Sequence, residues 1–435
     1  MRDRLRGTYG RPDNPYRAVS RATRITKDLS TLAFMGGVTI SSIPDIVRPI
    51  MVEGFTRAFG DGIRPFFSAS GREARKMVAE EVLNAGEAGE TILSIMASQF
   101  ADIGDSAGRR FPIERGLGQL VDKMFIVNGL NHWNSWMKEW AGVTISARIL
   151  STTEQWAAGT IRKSDRTKLL RSGIDEDTAI VINEMFERYG ETVDGVRMPN
   201  TALWKGVDEI TDAAAEEAVM AFRGAISQDV RRTIVTVGAG DKALWTSTEF
   251  GSIVAQFKAY GQAAMTRVLI SGMQERDASF FMGAAALIGM GHITNQIKQA
   301  QHGYDPGNDF SGDLIDAIDR SGLLGYFTDI NNSLERMSDY TAGVRPLFGQ
   351  SPESSMLVSK FGAAAGPGAT MYANAVLGLA HVALGDGTDL DAYKLRSVLM
   401  FNSVPWAAGL FDALQEGVIS PLMKWGDEPA PLFNN

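Results

Sequence analysis

The chain has 435 residues, no cysteine and a formal net charge of −8. The absence of cysteine excludes disulfides and Cys-ligated zinc, and the acidic balance argues against a general nucleic-acid-coating role. A content of 44% hydrophobic and 22% charged residues is ordinary for a globular chain. This length suffices for two or three cores, or for one elongated helical body.

Residues 1–30 form a basic arm, with eight Arg and Lys side chains against three Asp. Gly and Pro keep its first half irregular, and from Tyr16 we expect a helix with Arg17, Arg21 and Arg24 on one face. We favour a terminal arm that is solvated or bound to a partner, and binding to nucleic-acid phosphates is the alternative. No signal peptide is visible, which disfavours conventional secretion.

Residues 31–160 form an apolar helical region. Gly36-Gly37, Pro44 and Pro49 interrupt the apolar run 32–52, which favours two short helices meeting near residues 41–45 over a membrane span. We expect helices on both sides of a break at 86–89 and a loop over 105–115. A tryptophan ridge at helical spacing then predicts core packing or contacts with another copy or partner, and it consists of Trp133, Trp136 and Trp140.

Residues 161–300 read as an amphipathic helical region. Periodicity predicts helices over 165–171, 175–189 and 201–237, and one long central helix over 245–274. Thr246, Ser247 and Thr248 offer N-cap hydroxyls for the long helix. Its apolar side predicts oligomer or partner contacts at Phe250, Phe257 and the Gly261 notch.

Residues 301–435 form a Gly-rich helical region. This region and the end of the preceding one contain three charge-free runs, 280–293, 361–385 and 397–411. Each is too short or too interrupted by proline for a clean span, so they are buried helices or, in a protein that changes environment, lipid-facing elements. The candidate lipid-facing residues are Phe280, Phe281, Leu377, Leu379, Phe401 and Trp406.

Together these patterns predict an all-α, elongated multi-helix protein with no sheet beyond an incidental hairpin, able to assemble into a ring or tube. No nucleophile–base pair, phosphate loop or metal-ligand spacing is present, so we expect no catalytic, cofactor or metal site and no enzyme activity. Residues 116–120, GLGQL, are similar to a lytic transglycosylase motif. The Glu-Ser pair that those enzymes carry upstream is missing, and the chain's only such pair, at 353–354, lies downstream.

The order of several stretches resembles a known family. They are RDRLRGTYGRPDNP, LAFMGGVTISSIPDIVRP, WTSTEFGSIVAQFKAYGQAAMTRVLISGMQERD, AIDRSGLLGYFTDINN and MFNSVPWAAGLFDAL. Spread in the same order over most of the chain, this series resembles the C-terminal region of large internal virion proteins of short-tailed bacteriophages, the ejection or pilot proteins. The QFK helix with Arg267 and the SGLLG turn contribute most to the resemblance.

The resemblance implies a helical protein held inside the capsid near the portal and ejected with the genome. It would then help to form a conduit for DNA across the host envelope. The implied partners are further copies of this chain, other internal virion or portal proteins, the host inner membrane and, transiently, phage DNA. The alternative is a structural core or portal-associated scaffold protein without membrane contact. Family members can be much larger, so a short member, a split gene and a processed fragment all stay open.

Overall fold

The computed structural model describes residues 14, 16–63, 67, 76, 111–193, 195–207, 210–234, 244–258, 273, 278–301, 310–338, 340–349, 366–385 and 387–423. Of these residues 79% are helical and 2% lie in strands. The predicted predominantly helical fold is confirmed for this part of the chain. Its strands form one antiparallel hairpin, β1 (Glu191–Val193) and β2 (Val196–Met198), with Glu191 opposite Met198.

The α-helices follow one another with short connections in each described range. They are α1 (Ala18–Phe34), α2 (Val38–Ser41), α3 (Arg48–Glu53), α4 (Phe55–Arg57), α5 (Pro112–Val127), α6 (Leu130–Ala157), α7 (Lys163–Arg171), α8 (Glu176–Tyr189), α9 (Asp212–Thr233), α10 (Glu249–Val254), α11 (Ala278–Gln301), α12 (Phe310–Ser321), α13 (Tyr326–Met337), α14 (Val344–Leu347), α15 (Pro367–Leu384), α16 (Asp389–Ser397), α17 (Ala408–Leu414) and α18 (Ser420–Met423).

Helix α6 is the centre of the largest core. It packs against α8, α9 and the π-helical turn at 58–63, and its buried apolar side chains face all three. The cluster runs from Ala58 to Ile234 and therefore crosses the sequence boundary expected at 160/161. Apolar side chains surround the middle of α6, which is why this helix shows little one-sided patterning.

Two side-chain caps begin the helices that pack on α6. Asp175 accepts a 2.9 Å hydrogen bond from the Thr178 backbone N–H, and Thr211 accepts one from Ala214 at 3.2 Å. The predicted helix over 201–237 is wrong in its first part, because α9 begins only at Asp212. A 3₁₀ turn at Thr201–Leu203 and a β-bridge between Val207 and Ile210 occupy the preceding residues.

Helix α1 joins distant parts of the molecule through polar contacts. Gln256 donates to the Lys27 carbonyl at 2.9 Å and accepts from Ser30 Oγ at 2.8 Å. The Leu32 carbonyl accepts from the Phe401 N–H at 2.8 Å. The apolar run 32–52 is interrupted after Phe34, and its two short helices, α2 and α3, are joined by a 3₁₀ segment at Ile43–Val47. The loop expected at 105–115 is wrong from Pro112 onward, because Pro occupies the first position of α5. The break at 86–89 lies outside the described residues.

The predicted long helix over 245–274 is wrong. Thr248 does cap a helix, accepting from the Gly251 N–H at 3.1 Å, but α10 ends at Val254. Phe257 takes a left-handed φ of 70°, which stops an α-helix. The hydrogen bonds of Gln256 to α1 hold this bend, so a tertiary contact overrides the helical period. Residues 259–272 lie outside the described residues.

The three charge-free runs have different structures. The first lies within α11, which packs on α12 and α3, and α15 covers most of the second from Pro367 onward. The expectation of a single helix over 397–411 is wrong, because a turn, a 3₁₀ segment and α17 share it. The backbone bond from Phe401 to Leu32 and the left-handed φ of Phe401 explain the interruption.

Candidate interaction surface

Exposed apolar side chains are concentrated in the last third of the chain. Among the described residues, segment 278–423 exposes twenty-one large hydrophobic side chains, and segment 130–234 exposes four. Scattered single exposures are normal, whereas contiguous apolar patches are candidates for interaction surfaces. The C-terminal region is therefore where we place the candidate functional surface.

Helix α13 is the clearest part of this surface, because its amphipathicity is inverted. Its exposed residues are all apolar: Phe327, Ile330, Leu334 and Met337, each between 49% and 57% exposed. The polar residues of the same helix are half-buried or buried. A helix of a globular protein ordinarily places its apolar face on the core. We refer to these four residues as the α13 face.

A network of ions around Arg345 holds the polar side of α13 inward. Arg345 contacts Asp316 at 2.8 Å and Asp319 at 2.5 Å on α12, and Glu335 Oε2 at 2.9 Å on α13. Glu335 Oε1 accepts from the Arg345 backbone N–H at 2.8 Å and from Asn331 Nδ2 at 2.8 Å. Charge-assisted bonds of this kind fix orientation, so one arginine sets the position of α13 against α12.

Burial raises the pKa of two carboxyl groups in or close to α13, those of Asp329 and Asp319. Desolvation raises the pKa of Asp329 to about 6, against the opposing effects of Lys258 and Arg336. Desolvation also raises the pKa of Asp319, although its contacts with Arg345 act in the opposite direction. Asp329 therefore titrates in the mildly acidic range.

Helix α15 carries a second apolar surface and contains no Asp, Glu, Lys or Arg. Met371 and Asn374 are buried, and a side chain at Gly378 would lie 3.1 Å from Leu395 Cβ, so this side packs on α16. The other side exposes Tyr372, Val376 and Leu379. Near the end of the helix, His381 Nδ1 lies 2.9 Å from Asp391. Both sides of α15 are thus apolar, but only one is covered.

The structure places the predicted lipid-facing residues in different environments. Phe281, Leu377, Leu379 and Trp406 are exposed, as the prediction of a lipid-facing role requires. Phe280, near the start of α11, is buried, so its expected exposure is wrong, whereas its neighbour Phe281 on the same helix is exposed. Phe401 is half-buried against the Leu32 and Phe125 cluster.

The residues predicted to contact other copies or partners also differ in their exposure. Trp140 is 0% exposed and donates a hydrogen bond from Nε1 to the Ala58 carbonyl at 2.9 Å. The prediction that Trp140 contacts another molecule is therefore wrong for this fold. Trp133 and Trp136 are half-buried and stack towards it, with ring centroids 5.6 and 5.5 Å apart along the ridge. Phe250 is exposed and Phe257 is half-buried. Gly261 lies outside the described residues.

The helical half of the basic arm contacts its own chain. Arg21 Nε lies 2.6 Å from Glu114 Oε1, and Arg24 lies 3.5 Å from the other oxygen of that buried carboxylate. The Arg21 guanidinium also stacks on Phe111 at 3.7 Å. These contacts join α1 to α5, and they pair the carboxylate of Glu114, which lies just before the GLGQL motif, with two arginines.

Within the described ranges, no group of three acidic or histidine side chains has the arrangement of a metal site. By length and composition, none of the described helices crosses a membrane alone, whereas the bent pair Ala18–Phe34 and Val38–Glu53, at 73°, meets the same criterion together. Comparison with protein-family models, curated proteins and solved structures returned no match.

Sequence reasoning did not single out the α13 face or Arg345. The signal was present in part, since Phe327, Ile330, Leu334 and Met337 follow the 3-4-3 spacing of a helical seam. The direction of that seam was not readable, because a period says which residues share a face and not whether the face points inward.

Proposed function

We propose that this chain is an internal virion protein of a short-tailed bacteriophage, ejected with the genome and forming part of a conduit for DNA across the host envelope. In this proposal copies of the elongated chain assemble into a ring or tube. The protein would be stored inside the virion near the portal and would lie in the periplasm or inner membrane after ejection. Its role is structural, without catalysis.

One observation supports this role beyond the family resemblance. The C-terminal region anchors its helices with polar contacts and leaves apolar faces uncovered, at α13, at α15 and around Trp406. A protein stored in one environment and used in another needs such faces, because they can be covered by different neighbours in the two states.

The exposed side of α15, with Tyr372, Val376 and Leu379, is suited to a membrane only in an assembly. Its helix is short for a bilayer and begins at Pro367. Free backbone groups at such a terminus are tolerated in lipid when neighbouring helices or a water-filled lumen satisfy them. We therefore expect little vesicle binding by monomer, and binding by the oligomer or after partial unfolding.

Particles before and after DNA release provide the direct test. Purified virions are triggered to empty, and the protein remaining in the shells is quantified by mass spectrometry relative to the capsid protein. Loss of this chain from emptied particles supports ejection. Retention at full copy number contradicts it and favours the scaffold alternative.

Vesicle flotation tests the membrane part separately. The variant carrying Leu377→Asp and Leu379→Asp places two charges on an exposed surface of α15, so its fold should be kept. Oligomer of this variant should lose flotation with anionic vesicles, and Met220→Asp, on an exposed position of α9, is the matched control. Flotation that persists in the double variant excludes this surface as the lipid contact.

A further inference from the structure

Helix α1 is docked on its own chain by its polar side. The residues that it buries between 18 and 31 are all polar or charged: Ser20, Thr23, Arg24, Thr26, Asp28, Ser30 and Thr31. The apolar residues of the same stretch are half-buried or exposed, and they are Ala18, Val19, Ala22, Ile25 and Leu29. A helix of a globular protein ordinarily buries its apolar side. The orientation of residues 18–31 is therefore reversed.

The polar side of α1 contacts three other helices. Ser20 Oγ donates to Glu249 on α10, and Thr26 Oγ1 lies 3.0 Å from the Tyr372 hydroxyl on α15. The arginines of α1 pair with α5, and only the last turn enters an apolar cluster, through Leu32. Water can satisfy the polar groups when α1 separates, so this docking contributes less net free energy than apolar burial of the same extent. Segments with few buried apolar contacts open before the rest of a protein unfolds.

The chain opposite α1 contains a strained break. Helix α10 ends at Val254, the backbone turns over residues 255–257, and it is helical again at Lys258. Phe257 takes a φ of 70°, in the left-handed region that bulky side chains rarely adopt. Strain of this kind persists only where the surroundings impose it, and it is frequent in switch regions. The break therefore needs a neighbour that holds it.

Helix α1 supplies that neighbour through contacts with one side chain. Gln256 is fully buried and donates to the Lys27 carbonyl at 2.9 Å and to Thr31 Oγ1 at 3.2 Å. Its Oε1 accepts from Ser30 Oγ at 2.8 Å. These bonds favour the break only while α1 is docked, whereas the unfavourable φ of Phe257 opposes the break at all times. Docking of α1 and the break are therefore coupled, and each stabilises the other.

We propose that residues 18–31 and the break at 255–257 form a conformational switch. While α1 is docked, Gln256 holds the break. When residues 18–31 separate as a unit from α5, α10 and α15, Phe257 returns to a helical φ and α10 continues through the break to Lys258. Separation also removes the contact between Thr26 and α15. The switch is a property of the single chain, and it operates whether or not the protein is ejected.

Native-state hydrogen exchange of the full chain, measured by mass spectrometry, tests the separation. After correction for intrinsic rates, the amides of residues 22–31 should exchange about tenfold or more faster than those at the centre of α6. Separation as a unit gives these α1 amides one common protection factor. A steady rise in protection from residue 22 to residue 31 would indicate fraying from the end instead. Either that gradient or protection equal to that of α6 would overturn the proposal.

Two substitutions of Phe257 distinguish the switch from ordinary packing. Phe257→Ala and Phe257→Gly remove the same ring, but only glycine adopts a left-handed φ without strain. The alanine variant should therefore exchange residues 22–31 faster than the glycine variant, on the order of fivefold, with α6 alike in both. Equal exchange of residues 22–31, or faster exchange in the glycine variant, would show that the φ of Phe257 is not coupled to α1.

A metal-binding pair drives the switch directly. Val254→His with Lys258→His places two imidazoles four residues apart, a spacing that binds a divalent metal when the intervening residues are helical. Adding Ni²⁺ to this variant should therefore speed the exchange of residues 22–31. Met220→His with Gly224→His, on exposed positions of the uninterrupted helix α9, is the matched control. The proposal fails if Ni²⁺ leaves α1 unchanged in the first variant, or if it has the same effect in the control.

Discussion

Segments 130–234 and 278–423 are both helical but use their apolar residues in opposite ways. Among the described residues, the first buries twenty-four hydrophobic side chains and exposes four large ones, and the second buries nine and exposes twenty-one. Two tryptophans show the contrast: Trp140 is fully buried in the first segment, and Trp406 is 70% exposed in the second. The first segment buries most of its large apolar side chains, and the second leaves most of them exposed to solvent.

The two segments also use arginine differently. Arg148, buried in the core, bridges Glu53 at 2.9 Å on α3 and Asp229 on α9, and Ser172 donates to the same Asp229. Burial lowers its pKa, but Glu53 and Asp229 outweigh that effect and hold the pKa above its usual value. Arg345 instead fixes the inverted helix α13 from its polar side. The ion pairs of Arg148 thus join elements of the core, whereas those of Arg345 hold α13 with its apolar face towards the solvent.

The largest expected effect is the loss of Arg148. Arg148→Met leaves Glu53 and Asp229 buried without their cation, which should reduce the free energy of unfolding by about 3–5 kcal/mol. Urea unfolding monitored by circular dichroism measures this change. Arg166→Met, which breaks a solvent-exposed pair with Glu176, is the control and should shift stability by less than about 1 kcal/mol. Equal losses of stability in Arg148→Met and Arg166→Met would contradict the difference between the buried and the exposed ion pair.

Substitutions of Trp140 and Trp406 test directly whether the first segment has a packed core and the second does not. Trp140→Ala opens a cavity and leaves the Ala58 carbonyl without its donor, so we expect a loss of about 3–5 kcal/mol. Trp406→Ala should change the stability of the monomer by about 0.5 kcal/mol or less. Both values come from chemical denaturation at low protein concentration. A large loss for Trp406→Ala would mean that the C-terminal region has a core of its own around it.

Glycine contacts in α11 provide a smaller test. A Cβ at Gly291 would lie 2.2 Å from the Ala317 carbonyl oxygen, so Gly291→Ala should force α11 and α12 apart at a cost of about 1–3 kcal/mol. Gly289 has no atom within 4 Å of such a Cβ. Gly289→Ala should therefore be neutral or stabilise by about 0.5–1 kcal/mol through helix propensity. Thermal midpoints of the two variants should move in opposite directions, and a shared direction contradicts the close packing.

The smallest expected effect is a pH dependence from Asp329. Its folded pKa of about 6 lies above the unfolded value, so the folded state holds the proton more tightly. Its contribution to stability is fully present below about pH 4 and is lost as the pH rises through about 6. Asp329→Asn, which stays neutral, should gain stability relative to wild type over this range.

Urea midpoints of wild type and Asp329→Asn at several values between pH 4 and 7 measure the difference. Asp175 provides the opposite control, because its hydrogen bond to Thr178 lowers its pKa. Replacement by alanine there should cost stability that is largest above about pH 4 and fades in acid. A constant difference between wild type and Asp329→Asn across the range would contradict burial of the Asp329 carboxyl group.

Local sequence by itself determined the helical class and many helix starts. Residues with hydroxyl or carboxylate caps marked the beginnings of α8 and α10, and Gly36-Gly37 marked the end of α1, because these signals act through the backbone within one turn. The charge-free runs are visible in the sequence, but whether residues such as Leu379 and Trp406 are buried or exposed was left open there. The helical class and the helix starts depend on near neighbours in the chain, and the exposure of a side chain does not.

Tertiary structure alone decided the rest. The long helix expected over 245–274 stops at Val254 because Gln256 bonds to α1, more than two hundred residues away in sequence. Trp140 lies in the largest core, where the Ala58 carbonyl accepts a hydrogen bond from its buried indole N–H. The α13 face points outward because Arg345 draws the polar side of that helix inward. Periodicity fixes which residues share a face, and only the arrangement of distant partners determines whether that face meets the core or the solvent.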